Sequence, residues 1–68
     1  METLATLRDL ETVLRRRIAM MSNIADDRDA SYFERRDASL AISVFTVALG
    51  DISNAIGALR NTLQSEAA

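Results

Sequence analysis

The fold is decided by residues 42–63, whose sequence is ISVFTVALGDISNAIGALRNTL. Seven large apolar side chains in this stretch follow one another at alternating spacings of three and four residues. They are Ile42, Phe45, Leu49, Ile52, Ile56, Leu59 and Leu63. This heptad spacing predicts a helix that packs along one face against another helix.

A second stripe of period seven on the same helix contains only small residues, Ser43, Gly50 and Gly57. A glycine inside a helix costs about 1 kcal/mol relative to alanine. Two explanations stay open for the glycines. Either another backbone approaches closely at Gly50 and Gly57, or both are weak points tolerated in a helix that its neighbours hold in place.

The composition restricts the fold class and the kinds of site. A chain of 68 residues makes one small domain, and such domains commonly need disulfides, a metal or oligomerisation for stability. The sequence has no Cys and no His, so we expect neither disulfides nor a metal site. It also has no Pro and only three aromatic residues, which favours an all-α fold stabilised by oligomerisation.

The charge pattern bears on partners and on location. The net charge is −2 and the pI is near 4.9, which argues against nucleic-acid binding because phosphate contacts need basic charge. The longest uncharged run, residues 38–50, has 13 residues, whereas a membrane-spanning helix needs about 20. The N-terminus has no apolar segment typical of a secretion signal. We therefore expect a cytoplasmic protein without a membrane partner.

Helix 1 is expected at about residues 4–25, with Thr3 as its N-cap. Arg17 occupies one of its heptad positions. Arg17 either extends its guanidinium out past the helix interface or pairs with a carboxylate inside it and sets the register. The other heptad positions hold apolar residues, namely Leu7, Leu10, Leu14, Met21 and Ile24.

Helix 2 is expected at about residues 32–63, after a turn at 26–31 and before a polar tail at 64–68. Ser31 and Glu34 form a capping box, which predicts that the helix begins at Tyr32. Because a short connection joins the helices, they should form an antiparallel hairpin. The predicted fold is thus an all-α, two-helix hairpin with a longer second helix.

The register of this hairpin leads to a prediction about assembly. If Ala25 lies near Ser31, the numbers of facing residues sum to about 56, and Leu4 lies opposite Ile52. The last part of the apolar face of helix 2 then lies beyond the start of helix 1, which cannot cover it. We therefore expect the hairpins to assemble into a helical bundle, a homo-oligomer whose simplest form is a homodimer. One set of residues should form the interface between copies. These interface residues are Ile52, Ile56, Leu59, Leu63, Gly50 and Gly57.

A second apolar stripe, on the opposite face of helix 2, predicts a protein-binding surface. Leu40, Val44 and Val47 lie at positions i, i+4 and i+7, and Tyr32 and Phe33 lie near the turn. Stripes with this spacing are typical of helix-in-groove recognition, and aromatic residues are common binding hot spots. These five residues are the predicted partner-binding site.

The sequence offers little for catalysis. Without His, Cys or Lys, a nucleophile or general base would have to be a hydroxyl or a carboxylate. The hydroxyl residues are scattered and the acids cluster in the turn without a recognisable partner spacing. We expect no enzymatic activity and no cofactor.

Two resemblances suggest a phage-encoded antagonist of a bacterial host system. Tyr32 with Arg35 and Arg36, followed by the run ALGD at 48–51, resembles quorum-sensing anti-activators, which are dimeric helical proteins that bind a host transcription regulator. The run NAI at 54–56, leading to Arg60, resembles sponges for cyclic nucleotides, although no Trp precedes this Asn. An anion such as a cyclic dinucleotide would be held by Arg35, Arg36 and Arg60.

A third resemblance is to the co-chaperones of type III secretion needle subunits, which are small hairpins with a longer second helix. It rests on Asp29, Ala30 and Tyr32 and on the small and aliphatic residues up to position 51. The expected function is therefore to bind and inhibit or mask a partner protein of a host. The alternatives are a second-messenger sponge and a needle co-chaperone.

Overall fold

Two helices make up the structure, a computed structural model that describes residues 2–67. Helix α1 spans Glu2–Asp26 and helix α2 spans Tyr32–Ala67. The two helices pack against each other as an antiparallel hairpin, and residues 2–67 contain no strand. The predicted all-α hairpin with a longer second helix is confirmed.

The capping residue predicted for α2 is in place. The backbone N–H of Glu34 donates a hydrogen bond of 3.1 Å to Ser31 Oγ, which satisfies one of the unpaired donors of the first turn. In the linker, the backbone N–H of Asp29 donates to Asp27 Oδ1 at 2.9 Å. This local bond competes with helix continuation and separates the two helices.

The outer ends of both helices differ from the prediction. Helix α1 already begins at Glu2, so Thr3 lies inside the helix and does not cap it. Helix α2 continues to Ala67 and does not end near residue 63. Residues 64–67 contain neither Gly nor Pro, so nothing stops the helix there. The last residue of the predicted tail, at position 68, lies outside the described residues.

One hydrogen bond between the helices identifies their register. Ser53 Oγ donates to Glu11 Oε2 at 3.0 Å, and the two residue numbers sum to 64. The predicted sum of about 56 is therefore wrong, by roughly one heptad. In the observed register Leu4 faces a residue near position 60, well past Ile52.

This register overturns the argument for an uncovered end of α2. Ile56 is only 8% exposed, and Leu59 and Leu63 are half-buried, because α1 extends far enough to cover them. Ile52 is half-buried on the same face. The prediction that Ile56, Leu59 and Leu63 lack cover in their own chain is wrong, so their proposed role between copies loses its basis.

The face of α1 that packs on α2 is only partly the predicted one, since Leu7, Leu14, Met21 and Ile24 are half-buried as expected. Leu10 is 46% exposed and Arg17 is exposed, so neither belongs to the contact face. Glu11, which is half-buried and bonded to Ser53, is the polar residue within it. The contact face is a regular heptad series of half-buried residues, Leu4, Leu7, Glu11, Leu14, Ile18, Met21 and Ala25.

The hairpin buries very little of itself. Among the described residues, only Ala38 and Ile56 are buried. The accessible surface is 5205 Å², about a fifth more than the roughly 4,200 Å² typical of a folded monomer of 7.5 kDa. The radius of gyration is 16.0 Å, where a compact chain of this length has about 11 Å. A large surface is therefore left for contacts with other molecules.

The first six residues of α2 project beyond the end of α1. In the observed register Asp26, the last residue of α1, lies opposite Ala38. Residues 32–37 thus have only the last turns of α1 near them, and all six are exposed. This projecting segment carries Tyr32 and Phe33 and presents both rings to solvent.

Candidate interaction surface

The clearest candidate site is an apolar stripe on α2 that faces away from α1. We call Phe33, Leu40, Val44 and Val47 the outer stripe of α2, and each of them is between 57% and 67% exposed. The stripe runs over 14 residues, or roughly 21 Å of helix. Side chains of this type are usually buried, so a continuous exposed series marks a contact surface.

Two carboxylates lie on the same line as this stripe. Asp37 falls between Phe33 and Leu40, and Asp51 follows Val47 by four residues. Both are exposed. Asp37 has one ion pair, with Arg36, at 3.9 Å between Nη2 and Oδ1, and both side chains are more than half exposed. Such a long, solvated pair contributes little, so both acids are available to a partner.

The aromatic end of the stripe has its own local structure. The rings of Tyr32 and Phe33 meet edge to face, with centroids 5.5 Å apart. The guanidinium of Arg36 lies 5.9 Å from the centre of the Phe33 ring. These contacts orient Phe33 on the outer stripe, whereas Tyr32 lines a neighbouring open cleft. Four of the five predicted partner-binding residues therefore share one surface, and Tyr32 borders it.

The two glycines of α2 have no close neighbour in their own chain. A Cβ atom added at Gly50 or at Gly57 would meet nothing within 4 Å. The α1 backbone therefore does not approach either glycine. Both are exposed. If close approach of a backbone explains the two glycines, that backbone belongs to a second molecule.

Helix α1 carries a further exposed stripe that the sequence analysis did not identify. Leu10, Val13 and Met20 are between 43% and 58% exposed, and Arg17 lies in line between Val13 and Met20. We call these four residues the outer stripe of α1. Their spacing of three, four and three residues was visible in the sequence, but Leu10 was assigned to the helix interface instead.

The predicted anion-binding arginines are only partly brought together. Arg35 and Arg36 line an open cleft of about 250 Å³ with Ala25, Tyr32 and Ser39. Arg60 lies 24 residues further along α2 than Arg36, or roughly 36 Å away. Ala25 belongs to the last turn of α1, whose carbonyl dipoles repel an anion. Within one chain, the three arginines do not form a single site.

A second groove, of about 400 Å³, lies between the helices beside the outer stripe of α2. Its apolar wall includes Met21, Ile24 and Ala41, and its acidic residues are Glu34 and Asp37. A groove with this lining suits a side chain that has an apolar stem and a positive end. Asp37 therefore belongs both to this groove and to the line of the outer stripe.

Two further properties of residues 2–67 concern metals and membranes. No group of three or more potential metal-ligating side chains is found among them. By length and composition alone, α2 is apolar enough to cross a membrane, and little of that segment is buried. The short length of the uncharged run at residues 38–50 therefore does not rule out a membrane-spanning helix, because the apolar segment continues past Asp51.

Comparisons with known proteins identify no relative of this chain. No protein-family model, no curated protein and no solved structure matches the chain. The proposals below consequently rest on the geometry of the two outer stripes.

Proposed function

We propose that this chain is a non-enzymatic helical hairpin that binds and masks an apolar surface of a partner protein. The observation that carries the proposal is the outer stripe of α2. Its four apolar side chains are solvated along about 21 Å of a helix that α1 supports from behind. Covering four such side chains supplies much of the free energy that a stable complex needs.

The partner surface that suits this stripe is itself helical. An amphipathic helix or a groove between two helices presents side chains at the same spacing of three and four residues. Phe33 at the projecting end is the natural anchor, since exposed aromatic residues dominate many interfaces. Two kinds of partner fit this description: a bacterial host regulator inhibited by a phage protein, and a secretion needle subunit kept unassembled by a co-chaperone.

Self-association into a helical bundle is part of the proposal. The large accessible surface, the extended shape and the two buried residues all support it. The faces left for this contact are the two outer stripes, since the predicted interface residues Ile52, Ile56, Leu59 and Leu63 lie against α1. A homodimer is the simplest assembly.

We also propose that the protein acts in the cytoplasm. Insertion of α2 into a bilayer would carry Asp51 into the hydrocarbon, at a cost of about 2.5 to 3.5 kcal/mol on insertion scales. It would also bring the Arg-rich middle of α1 with it or require the hairpin to open. Flotation with liposomes tests whether α2 inserts into a bilayer: the chain should stay with the soluble fraction, and co-flotation would contradict the proposal.

The binding proposal is tested with a double variant and a control of the same spacing. Val44→Asp with Val47→Asp places two charges on the outer stripe, whereas Ala58→Asp with Asn61→Asp places them at exposed positions 14 residues further along. Proteins bound to the tagged chain in its own cells are identified, and each pair is then measured with purified proteins by calorimetry. We expect the Val variant to lose at least about tenfold in affinity and the control to bind normally. Equal binding by both variants would refute the proposal.

A second candidate is a sponge for an anionic second messenger. The cleft with Arg35, Arg36 and Tyr32 supports it, because guanidinium groups and an aromatic ring suit phosphates and bases. Arg60 would have to come from a second copy. A rise in melting temperature with cyclic dinucleotides, lost in Arg35→Ala with Arg36→Ala, would favour this function. Absence of a shift across a panel of nucleotides would exclude it.

A further inference from the structure

Each chain has two outer stripes, one on each helix, and they differ in charge. The outer stripe of α1 contains the cation Arg17, and the line of the outer stripe of α2 contains the anions Asp37 and Asp51. We infer that the outer stripe of α2 packs on the outer stripe of α1 of a second copy, with Arg17 against Asp37. The inference rests on the proposed self-association and names the two surfaces that meet in it.

The stripe of α1 is shorter than that of α2, but its residues match those at 33–44 in order and spacing. In an antiparallel arrangement with residue numbers that sum to about 54, every side chain of the α1 stripe meets a suitable residue. Leu10 lies opposite Val44, Val13 opposite Leu40, Arg17 opposite Asp37 and Met20 opposite Phe33. All four pairs agree with one register to within one residue, or about 1.5 Å along the helix. The last pair also provides a favourable contact between sulfur and an aromatic ring.

The charges at the centre of this contact are available. Among residues 2–67, no ion pair involves Arg17, and the pair of Asp37 with Arg36 is long and solvated. Asp37 also borders the groove with Met21, Ile24 and Ala41, which can take the aliphatic stem of an incoming arginine. The apolar residues on both sides of Arg17 and Asp37 would exclude water from their pair and strengthen it.

Symmetric pairing of two α2 stripes is less favourable. An antiparallel contact centred on Val44 brings Asp37 opposite Asp51, since each lies seven residues from the centre. A parallel contact places each acid opposite its own copy. Like charges facing each other oppose association. Symmetric pairing also leaves the outer stripe of α1 exposed.

The inferred contact has a consequence for the size of the assembly. The facing numbers sum to 64 within a chain and to about 54 between copies, so the second copy is shifted by ten residues, or roughly 15 Å. Each copy contacts one neighbour through its α2 stripe and can contact another through its α1 stripe. The contact can therefore repeat. The assembly should therefore grow beyond a dimer as the concentration rises.

The test uses two charge reversals, Arg17→Glu and Asp37→Arg, and the control Arg16→Glu, which makes the same change at an exposed neighbouring residue. Sedimentation velocity of the full chain gives the average mass from low micromolar to millimolar concentration. We expect growth beyond a dimer for the unchanged chain and for the control. Each reversal alone should weaken association by about tenfold. An equal mixture of the two reversed proteins should recover it, because every contact between the two different proteins joins opposite charges.

Three results would overturn the inference. The unchanged chain stays monomeric throughout, its mass stops at that of a dimer, or Arg17→Glu associates like the control. If that third result is found and Val44→Asp with Val47→Asp still removes association, the α2 stripe joins copies in another way and the proposed self-association stands. Circular dichroism of each variant is recorded first, and Arg17→Gln replaces Arg17→Glu if the latter loses helix.

Discussion

Replacing Ile56 by alanine tests the register of the hairpin most directly. Ile56 is 8% exposed, so the substitution removes three buried carbon atoms. At about 0.8 kcal/mol for each, the free energy of unfolding should fall by about 2 to 3 kcal/mol. A domain of this length has a total stability of roughly 3 to 10 kcal/mol, so the loss is a large part of it. The melting temperature should drop by about 10 to 20 °C.

The assay is thermal and urea unfolding followed by circular dichroism, at several protein concentrations. The control is Val44→Ala, since Val44 is 66% exposed and its substitution should change the stability of the single chain by less than about 0.5 kcal/mol. The loss at Ile56 should persist at the lowest concentration, because α1 of the same chain covers this residue. A loss that disappears on dilution, or one equal to that of the control, would refute the register and restore the earlier expectation that another copy covers Ile56.

Three other predictions concern the cap of α2, the bond between the helices and the open space at Gly50. Ser31→Ala removes the cap of α2 and should cost about 1 kcal/mol in unfolding experiments, while Ser65→Ala in the last turns of the same helix should be nearly neutral. Ser53→Ala and Glu11→Ala, made singly and together, should give a coupling energy of about 0.5 to 1.5 kcal/mol in a double-mutant cycle, because their hydrogen bond joins the two helices. Additive effects would contradict that bond. Gly50→Ala should stabilise the chain by about 1 kcal/mol at low concentration, since a Cβ meets nothing there, and destabilisation at low concentration would show that this space is occupied.

Helix α2 was predictable because its signals agree with one another. Its contact face carries a large apolar residue at every heptad position between Ile42 and Leu63, and the capping box marks its start. The exposed face could also be identified, because Leu40, Val44 and Val47 cannot lie on the contact face of the same helix. Four of the five residues predicted for partner binding consequently share one surface.

The register could not be predicted from the same pattern. A heptad pattern repeats every seven residues, so hairpins whose registers differ by seven satisfy it almost equally well. The choice between these registers depends on the path of the linker. The bond of Asp29 to Asp27 within the linker does not determine how far one helix is shifted along the other. The predicted and observed sums, 56 and 64, differ by about this one repeat.

The contact face of α1 was ambiguous for a different reason. Helix α1 has apolar residues on two neighbouring faces, and Leu10 and Ile24 favoured a series that includes Arg17. The structure prefers the series with Glu11, because its carboxylate bonds to Ser53 and pairs with Arg15 at 3.9 Å. A polar residue at a contact position is acceptable when a specific partner satisfies it. That partner lies on the other helix, 42 residues away.

The small core, with two buried residues among those that the structure describes, affects how the protein responds to heat and to proteases. Unfolding exposes little apolar surface, so the change in heat capacity and the denaturant dependence should both be small, and melting of the single chain should be broad. Opening of the hairpin then requires little free energy, and the unbound chain should be cleaved readily. A bound partner stabilises only the folded form. We therefore expect the amount of the protein in a cell to follow the amount of its partner.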